Sequence, residues 1–378
     1  MNRIEGQIDE QAKLAKQALS WIVCARRRLR ITELEHALAV EIGEPAFDPD
    51  NMSGIDHVVS LCAGLVTVDR ESNTVHYTTQ EYFQRSWQGW FPAAHRDIAM
   101  TCVTYLSYDA FEDVIAHDIE HGQAKGYWAF MTKFCLYDYA CRNWGHHVRE
   151  QPVPDTLVMR LLKDDTKVVM CAQPLKMPLG IVIPEGNQDP SKSVKGIFVA
   201  AYFGLDAAVK IILEGDPANA KLRHSGGRTP LFHATDSGRE STVKLLLDKG
   251  AGPNSDGYGY SPLMRAIENR HLQIAWIFLE RGADPGTPKA FPSYSADQRS
   301  FGSSQSPLSL AVRQGWGDMV GILLKLGADP NFQNWLGESP LSLAMSLGKG
   351  EIVSLLIQSG ASMSLTRRIW RLKMLLSP

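Results

Sequence analysis

Histidine and cysteine are the residue types here most able to hold a metal or act as a nucleophile, and their spacing bounds that chemistry. His117 and His121 stand four apart on an expected helix, with Asp118 and Glu120 between them. Such spacing places both imidazoles on one face, where zinc could bind. Cys135, Cys141, His146 and His147 offer a second set of soft or borderline ligands. Neither set has the paired C-x2–4-C spacing of structural zinc sites. The first therefore reads as a solvated helix face, the second as part of a core built around Tyr139 and Trp144, and no metal is expected. The six cysteines, Cys24, Cys62, Cys102, Cys135, Cys141 and Cys171, form no C-x-x-C pair and read as reduced thiols of an intracellular protein. Core packing is the expected role of Cys24, Cys62 and Cys102.

Nucleotide and acyl-transfer chemistry also lack their motifs. A P-loop needs a Gly-rich turn followed by Gly-Lys-Ser/Thr, so that backbone N–H groups cradle phosphates. The one Gly-Lys pair, Gly348-Lys349, runs into Gly350 instead. No G-x-S-x-G elbow occurs. The expectation is a non-enzymatic chain with no catalytic residue and no cofactor. Arg26-Arg27-Arg28-Leu29-Arg30 could neutralise nucleic-acid phosphates. The helix expected to read bases, over 55–61, holds Asp56 and His57 and no Lys or Arg. The arginine run therefore reads as a solvated turn against a neighbouring domain, which argues against DNA as a partner.

The 378 residues exceed one ordinary domain, and 44% hydrophobic with 21% charged residues is typical of a globular chain. The formal net charge of −2 supplies no bulk attraction to nucleic acid or to an anionic membrane. No apolar run reaches the ~20 residues that a bilayer span needs, and the start of the chain has no apolar signal region. The expected compartment is cytoplasmic or nuclear.

Periodicity then defines the elements. Thr229-Pro230-Leu231, Ser261-Pro262-Leu263, Ser306-Pro307-Leu308 and Ser339-Pro340-Leu341 recur, and each is followed by a Gly-Ala pair: Gly250-Ala251, Gly282-Ala283, Gly327-Ala328 and Gly360-Ala361. Thr or Ser before Pro predicts a helix cap followed by the first helical residue, because the hydroxyl accepts an orphan N–H and Pro has none to lose. Gly238, Gly315 and Gly348 predict left-handed helix ends. Val243/Leu246/Leu247, Val320/Leu323/Leu324 and Val353/Leu356/Ile357 predict the buried stripe of a second helix. A degenerate earlier copy has Gly196-Ile197 in place of Pro-Leu. One helix pair cannot bury its own apolar face, but a stack of about five can.

These residues resemble the ankyrin repeat, with its G-x-T-P-L-H-x-A and G-A-D-x-N consensus, over 190–364. The consensus His is replaced by Phe232, Met264, Ser309 and Ser342, and Arg270 takes the place of the mid-repeat Gly, which predicts strain at that corner. The resemblance implies protein partners, not yet identified, bound through turn tips and the inner face of first helices. Mapped here, those positions are Arg228, Asp236, Tyr258, Tyr260, Glu268, Arg313, Gln314, Trp335, Leu336 and Glu338. An insertion near 286–305 carries Phe291, Tyr294 and Phe301 and reads as a binding or modification loop.

Upstream, Leu14, Ala18, Leu19, Ile22 and Val23 predict a first helix. Thr32 is the expected cap of a second, and Ile55, Val58 and Val59 mark a third. The segments 64–69 and 74–78 alternate like a hairpin. Leu61-Cys62-Ala63-Gly64-Leu65-Val66 and Thr78-Thr79-Gln80-Glu81-Tyr82-Phe83 are similar to the winged-helix segment of fungal NACHT–ankyrin proteins, a STAND class of NTPases related to immune receptors. The resemblance places that family's NTPase core upstream of this segment, so the chain is expected to lack it.

The expected fold class is mainly α, with a winged-helix-like domain (1–92), a helical spacer with a Pro-rich linker (93–189), an ankyrin-repeat solenoid (190–364) and a basic amphipathic cap (365–378). The expected function is a protein-interaction or regulatory scaffold. The alternatives are a nuclear regulator whose winged helix contacts DNA, and an accessory protein of a fungal metabolic pathway with an unrecognised catalytic site.

Overall fold

A computed structural model describes residues 1–77, 80–110, 130–172, 175, 194–224, 227–254, 261–286, 305–334 and 337–362. The chain divides into two compact units, Met1–Val209 and Lys210–Pro378.

The N-terminal unit opens with α1 (Asn2–Glu5), α2 (Asp9–Cys24), α3 (Ile31–Ala39) and α4 (Ile55–Leu61), then the hairpin β1 (Val66–Asp69) and β2 (Thr74–Tyr77). The strands are antiparallel, with Val66 opposite Tyr77 and Asp69 opposite Thr74. Asn73, at φ 51°, lets the turn close, and Asp69 Oδ1 accepts from the Glu71 N–H at 3.0 Å and the Ser72 N–H at 3.2 Å. The segment before α3 adds a short third edge: the Val75 N–H donates to the Leu29 carbonyl at 3.1 Å, and the Ile31 N–H donates to the Asn73 carbonyl at 3.2 Å. Helices and hairpin form in the order expected for a winged helix. The cap of α3 differs from the expectation. The helix starts at Ile31, and Glu33, not Thr32, closes it by accepting from the Arg30 N–H at 2.8 Å.

Next come α5 (Gln80–Trp90), α6 (Ala94–Leu106), α7 (Tyr137–Glu150), α8 (Asp155–Lys163), α9 (Asp165–Ala172) and α10 (Gly196–Phe203). Trp21, Tyr105, Tyr139 and Trp144 are fully buried or nearly so, and form the aromatic core of this unit. The ring of Tyr139 meets Trp21 edge-on at 5.6 Å, and Trp144 meets Phe203 at 5.2 Å. The degenerate first repeat belongs here: α10 packs on α7, α8 and α9. A Cβ on Gly196 would lie 2.1 Å from the Leu162 carbonyl oxygen, so this close approach accounts for glycine where the other copies carry Pro.

After α11 (Asp206–Gly215), the second unit continues as four helix pairs: α12 (Pro230–Asp236) with α13 (Glu240–Asp248), α14 (Pro262–Glu268) with α15 (Leu272–Glu280), α16 (Pro307–Gln314) with α17 (Gly317–Lys325), and α18 (Pro340–Ser346) with α19 (Gly350–Gln358). Each first helix packs on the next, from α12 through α14 and α16 to α18. The expected caps are present. Thr229, Ser261, Ser306 and Ser339 each accept from the N–H three residues on, at 3.1–3.2 Å, with Pro in the first helical position. Gly238, Gly315 and Gly348 turn left-handed at φ 67–70°, and Arg270 holds the same conformation at φ 59°. The stripe Val243/Leu246/Leu247 is buried as expected. In the last pair Ile352 and Leu356 are buried, whereas Ile357 is 44% exposed, so the expected stripe is rotated there.

Candidate binding surface

The rim where first helices end is built by charge and amide groups that cross between repeats. Arg265, on α14, reaches back to Asp236 at the end of α12 (Nε to Oδ1, 2.5 Å) and holds Glu268 on its own helix (2.7 Å). Asn269 Nδ2 donates to both the Asp236 carbonyl and its carboxylate at 3.0 Å. Gln314 Nε2 donates to the Glu268 carbonyl at 3.3 Å, and Lys349 Nζ to the Arg313 carbonyl at 3.0 Å. Arg270 donates to the Gln314 carbonyl, so the side chain in the glycine position also ties two repeats together. Arg228 lies over the Phe232 ring at 4.9 Å and Arg265 over the same ring at 5.6 Å. Burial, and then the nearby Arg265 charge, lower the Arg228 pKa from its usual value. A guanidinium held this way is incompletely neutralised, which suits an incoming carboxylate.

Of the residues mapped from sequence, Asp236, Glu268, Gln314 and the Arg313 carbonyl are thus already engaged within the array. Asp236 has a side chain only 8% exposed and acts chiefly as a joint between repeats. Glu338 closes a turn tip: its N–H donates to Asn334 Oδ1 at 2.9 Å, and Asn334 Nδ2 returns to its carboxylate at 3.1 Å. Tyr258, Tyr260, Trp335 and Leu336 lie outside the described residues, as do most of the insertion near 286–305 and the stretch 365–378. Sequence reading missed Arg265 and the buried pair His224–His233, whose Nε2 atoms are 3.0 Å apart. The Arg265–Glu268 spacing of three was the available signal for the first. It also missed Trp276, which is 43% exposed on α15 beside Leu272, 39% exposed.

The metal-like set in the N-terminal unit is dispersed. Cys141 is buried against Cys171, Cys135 donates to the Thr132 carbonyl, and His146 sets its ring edge-on to Phe203. His147 belongs to a relay. The Arg26 N–H donates to Tyr139 Oη at 3.2 Å, Tyr139 Oη lies 2.9 Å from His147 Nε2, and His147 Nδ1 lies 2.8 Å from His95 Nδ1. Both ring nitrogens of His147 are thus engaged, one by Tyr139 and the other by His95. Burial drives the His147 pKa down to about 3, helped by the neighbouring His95, and drives His146 down to about 4. His117 and His121 lie outside the described residues. Among the described residues, no three potential metal ligands converge.

Within the arginine run, Arg27 is a structural joint. Arg27 makes a two-pronged pair with buried Glu33 at 2.6 and 2.7 Å and stacks over the Tyr139 ring at 5.2 Å. The third helix, α4, exposes Asp56 and His57, and the wing exposes Asp69 and Glu71. Arg70 is paired with Asp56 at 2.8 Å.

Comparison with known families agrees with these features. Residues 197–289 and 292–367 each match the family model described as ankyrin repeats (3 copies). Residues 6–89 match the model described as the winged helix domain of GPI inositol-deacylase. The molecule is therefore mainly α, with a winged helix at its N-terminus and ankyrin repeats behind it. Among similar proteins, ankyrin repeat and SAM domain-containing protein 6 of Rattus norvegicus is 34% identical over 121 residues, covering 32% of this chain and 13% of that protein. A putative ankyrin repeat protein of Rickettsia felis is 30% identical over 119 residues, covering 28% of this chain and 45% of that protein. The ADP-ribosylation factor GTPase-activating protein AGD4 of Arabidopsis thaliana is 34% identical over 101 residues, 26% of this chain and 13% of that protein. The chain thus spans less than half the length of these relatives. No helix among the described residues is long and apolar enough to cross a membrane.

Proposed function

We propose that this chain is a non-enzymatic protein-interaction or regulatory scaffold whose ankyrin edge carries the partner surface. The observation that supports this reading most directly is the rim network. Inter-repeat bonds hold the ends of α12, α14 and α16 in register, so Arg228 and the turn at Glu338 are presented from pre-organised supports. Pre-organisation reduces the entropy lost on binding and favours a few anchor residues. The sequence-mapped aromatics Tyr258, Tyr260 and Trp335 are the anchor types such a surface needs. The likeness of the whole chain to fungal NACHT–ankyrin proteins remains part of this proposal, resting on the pairing of a winged helix with ankyrin repeats.

The test is affinity capture from the native cell, comparing wild type with Tyr260→Ala/Trp335→Ala and with Arg28→Glu/Arg30→Glu. Arg28 and Arg30 are chosen for the control because Arg27 is bound into the fold. Loss of the captured partner with the aromatic pair alone supports the ankyrin edge. Loss with the arginine pair alone would assign binding to the winged helix.

A further inference from the structure

A cleft of about 960 Å³ lies within the N-terminal unit, between α2 and α6, far in sequence from the ankyrin repeats. Its floor is apolar, formed by Leu38, Val40, Phe91 and Met100, and Ile42 stands at its edge 48% exposed. Two helices form its walls. The two helices also touch each other, so an occupant would lie over the groove they form with that floor and not force them apart.

The polar groups of the cleft are few and unlike those of a small-molecule site. The buried hydroxyls of Ser20 and Thr101 both donate to carbonyls of their own helices, Gln17 at 2.8 Å and Asp97 at 2.9 Å. Neither has a proton left to donate to a polar ligand, and small-molecule pockets normally rely on such precisely placed polar groups. The charges lie at the rim. Lys16 is taken by Glu5 at 3.0 Å. That leaves Asp9, Glu41 and Asp97 facing the single cation Lys13 among the ionisable groups that line the cleft. The Asp97 carboxylate makes no ion pair among the described residues, and burial raises its pKa more than the nearby Arg96 lowers it. Asp97 is thus a carboxylate that a cation arriving in the cleft would stabilise.

We propose that this cleft is a docking groove for a basic amphipathic helix of a partner protein. The apolar face of the helix would lie on Leu38, Val40, Phe91 and Met100, and its Lys or Arg side chains would meet Asp9, Glu41 and Asp97. A second copy of the chain docking by the same groove would bring one acidic rim against another, which disfavours self-association there. The groove is independent of the ankyrin edge.

The experiment uses the full chain and a fluorescent synthetic peptide of roughly 14 residues, an ordinary helix length, with Leu on one helical stripe and Lys on the rest. Anisotropy titration is expected to show that Glu41→Lys/Asp97→Lys weakens binding about tenfold, and that the uncharged Ile42→Gln weakens it about fivefold. Glu240→Lys/Glu351→Lys makes the same change in net charge on exposed ankyrin positions and should leave the affinity within about twofold. Circular dichroism checks each fold. Equal losses in both charge-reversed pairs would show non-specific attraction and overturn the proposal. Unchanged binding by Ile42→Gln would do the same. A concentration-dependent dimer that Ile42→Gln dissociates would make a second copy the occupant and also reject it. Because Tyr260→Ala/Trp335→Ala should leave peptide binding intact, failure here is distinguishable from failure of the ankyrin reading.

Discussion

Arg270 holds a left-handed backbone at φ 59°, where the register-equivalent residues are Gly238, Gly315 and Gly348. A side chain in that conformation costs about 1 kcal/mol, and the bond from Arg270 to the Gln314 carbonyl offsets part of it. Comparing Arg270→Gly with Arg270→Ala separates the two effects, since both lose the bond and only glycine relieves the strain. Denaturant melts should show the glycine variant more stable than the alanine variant by about 1 kcal/mol. Equal stabilities would mean the corner is unstrained. The buried histidines make a second prediction at this scale. Burial holds His147 at about 3 and His146 and His224 at about 4, while unfolded histidine titrates near ~6.5. The folded values are depressed, so between about pH 6.5 and 4 the unfolded chain binds protons that the folded chain does not. Their stabilising effect is complete above that window and is lost as pH falls through it, at roughly 1.4 kcal/mol per pH unit for each fully uncompensated histidine. Unfolding midpoints in urea should be lower at pH 5 than at pH 7, and equal midpoints would contradict the burial argument.

At the level of elements, two kinds of glycine behave oppositely. A Cβ on Gly196 would collide with the Leu162 backbone, and one on Gly145 would come within 2.2 Å of Phe203 Cγ. Backbone has little room to yield, so Gly196→Ala should destabilise the N-terminal unit by about 3 kcal/mol. Gly321, within α17, has open space where its Cβ would be. Gly321→Ala should stabilise its helix by roughly 0.5–1 kcal/mol through helix propensity alone. Thermal unfolding of both variants checks the contrast. Caps form the other repeating device of this array. Removing the Thr229 hydroxyl with Thr229→Ala should cost about 1 kcal/mol, because the Phe232 N–H it satisfies is buried.

For the whole molecule, charge and placement argue against nucleic acid and for protein partners. The formal net charge is −2, Arg27 is committed to Glu33, and α4 with the wing exposes mainly acidic groups. Binding to duplex DNA, measured by fluorescence anisotropy across a salt series, should stay weak and unchanged by Arg28→Glu/Arg30→Glu. A tight complex whose salt slope falls by about two in that variant would favour the nuclear-regulator alternative. On the reading proposed above, protein partners would instead use the ankyrin edge and the cleft between α2 and α6, one surface in each unit.

Local chemistry carried in the sequence was enough to define the helix pairs. A Thr or Ser hydroxyl before Pro, a glycine at each left-handed corner and apolar residues on one helical stripe act within about a turn of the backbone, so their spacing along the chain is directly readable. The same locality made the winged-helix order legible, and it made Arg270 stand out as a departure from the repeat period. Only the tertiary structure decided which side chains meet across elements. Arg27 is a joint and not a free cation, because Glu33 and Tyr139 arrive from other helices. Asp236 is committed to Arg265 of the next repeat. The His147 pKa is pushed down because the core removes water from it and, second, because α6 brings His95 beside it. The acid-rimmed cleft has no sequence signature, since its walls lie on α2 and α6 and its floor gathers Met100 of α6 with Leu38, Val40 and Phe91 from the chain between them. Pairings of this kind depend on how helices pack and on how far water is excluded, and residue spacing along one chain segment encodes neither.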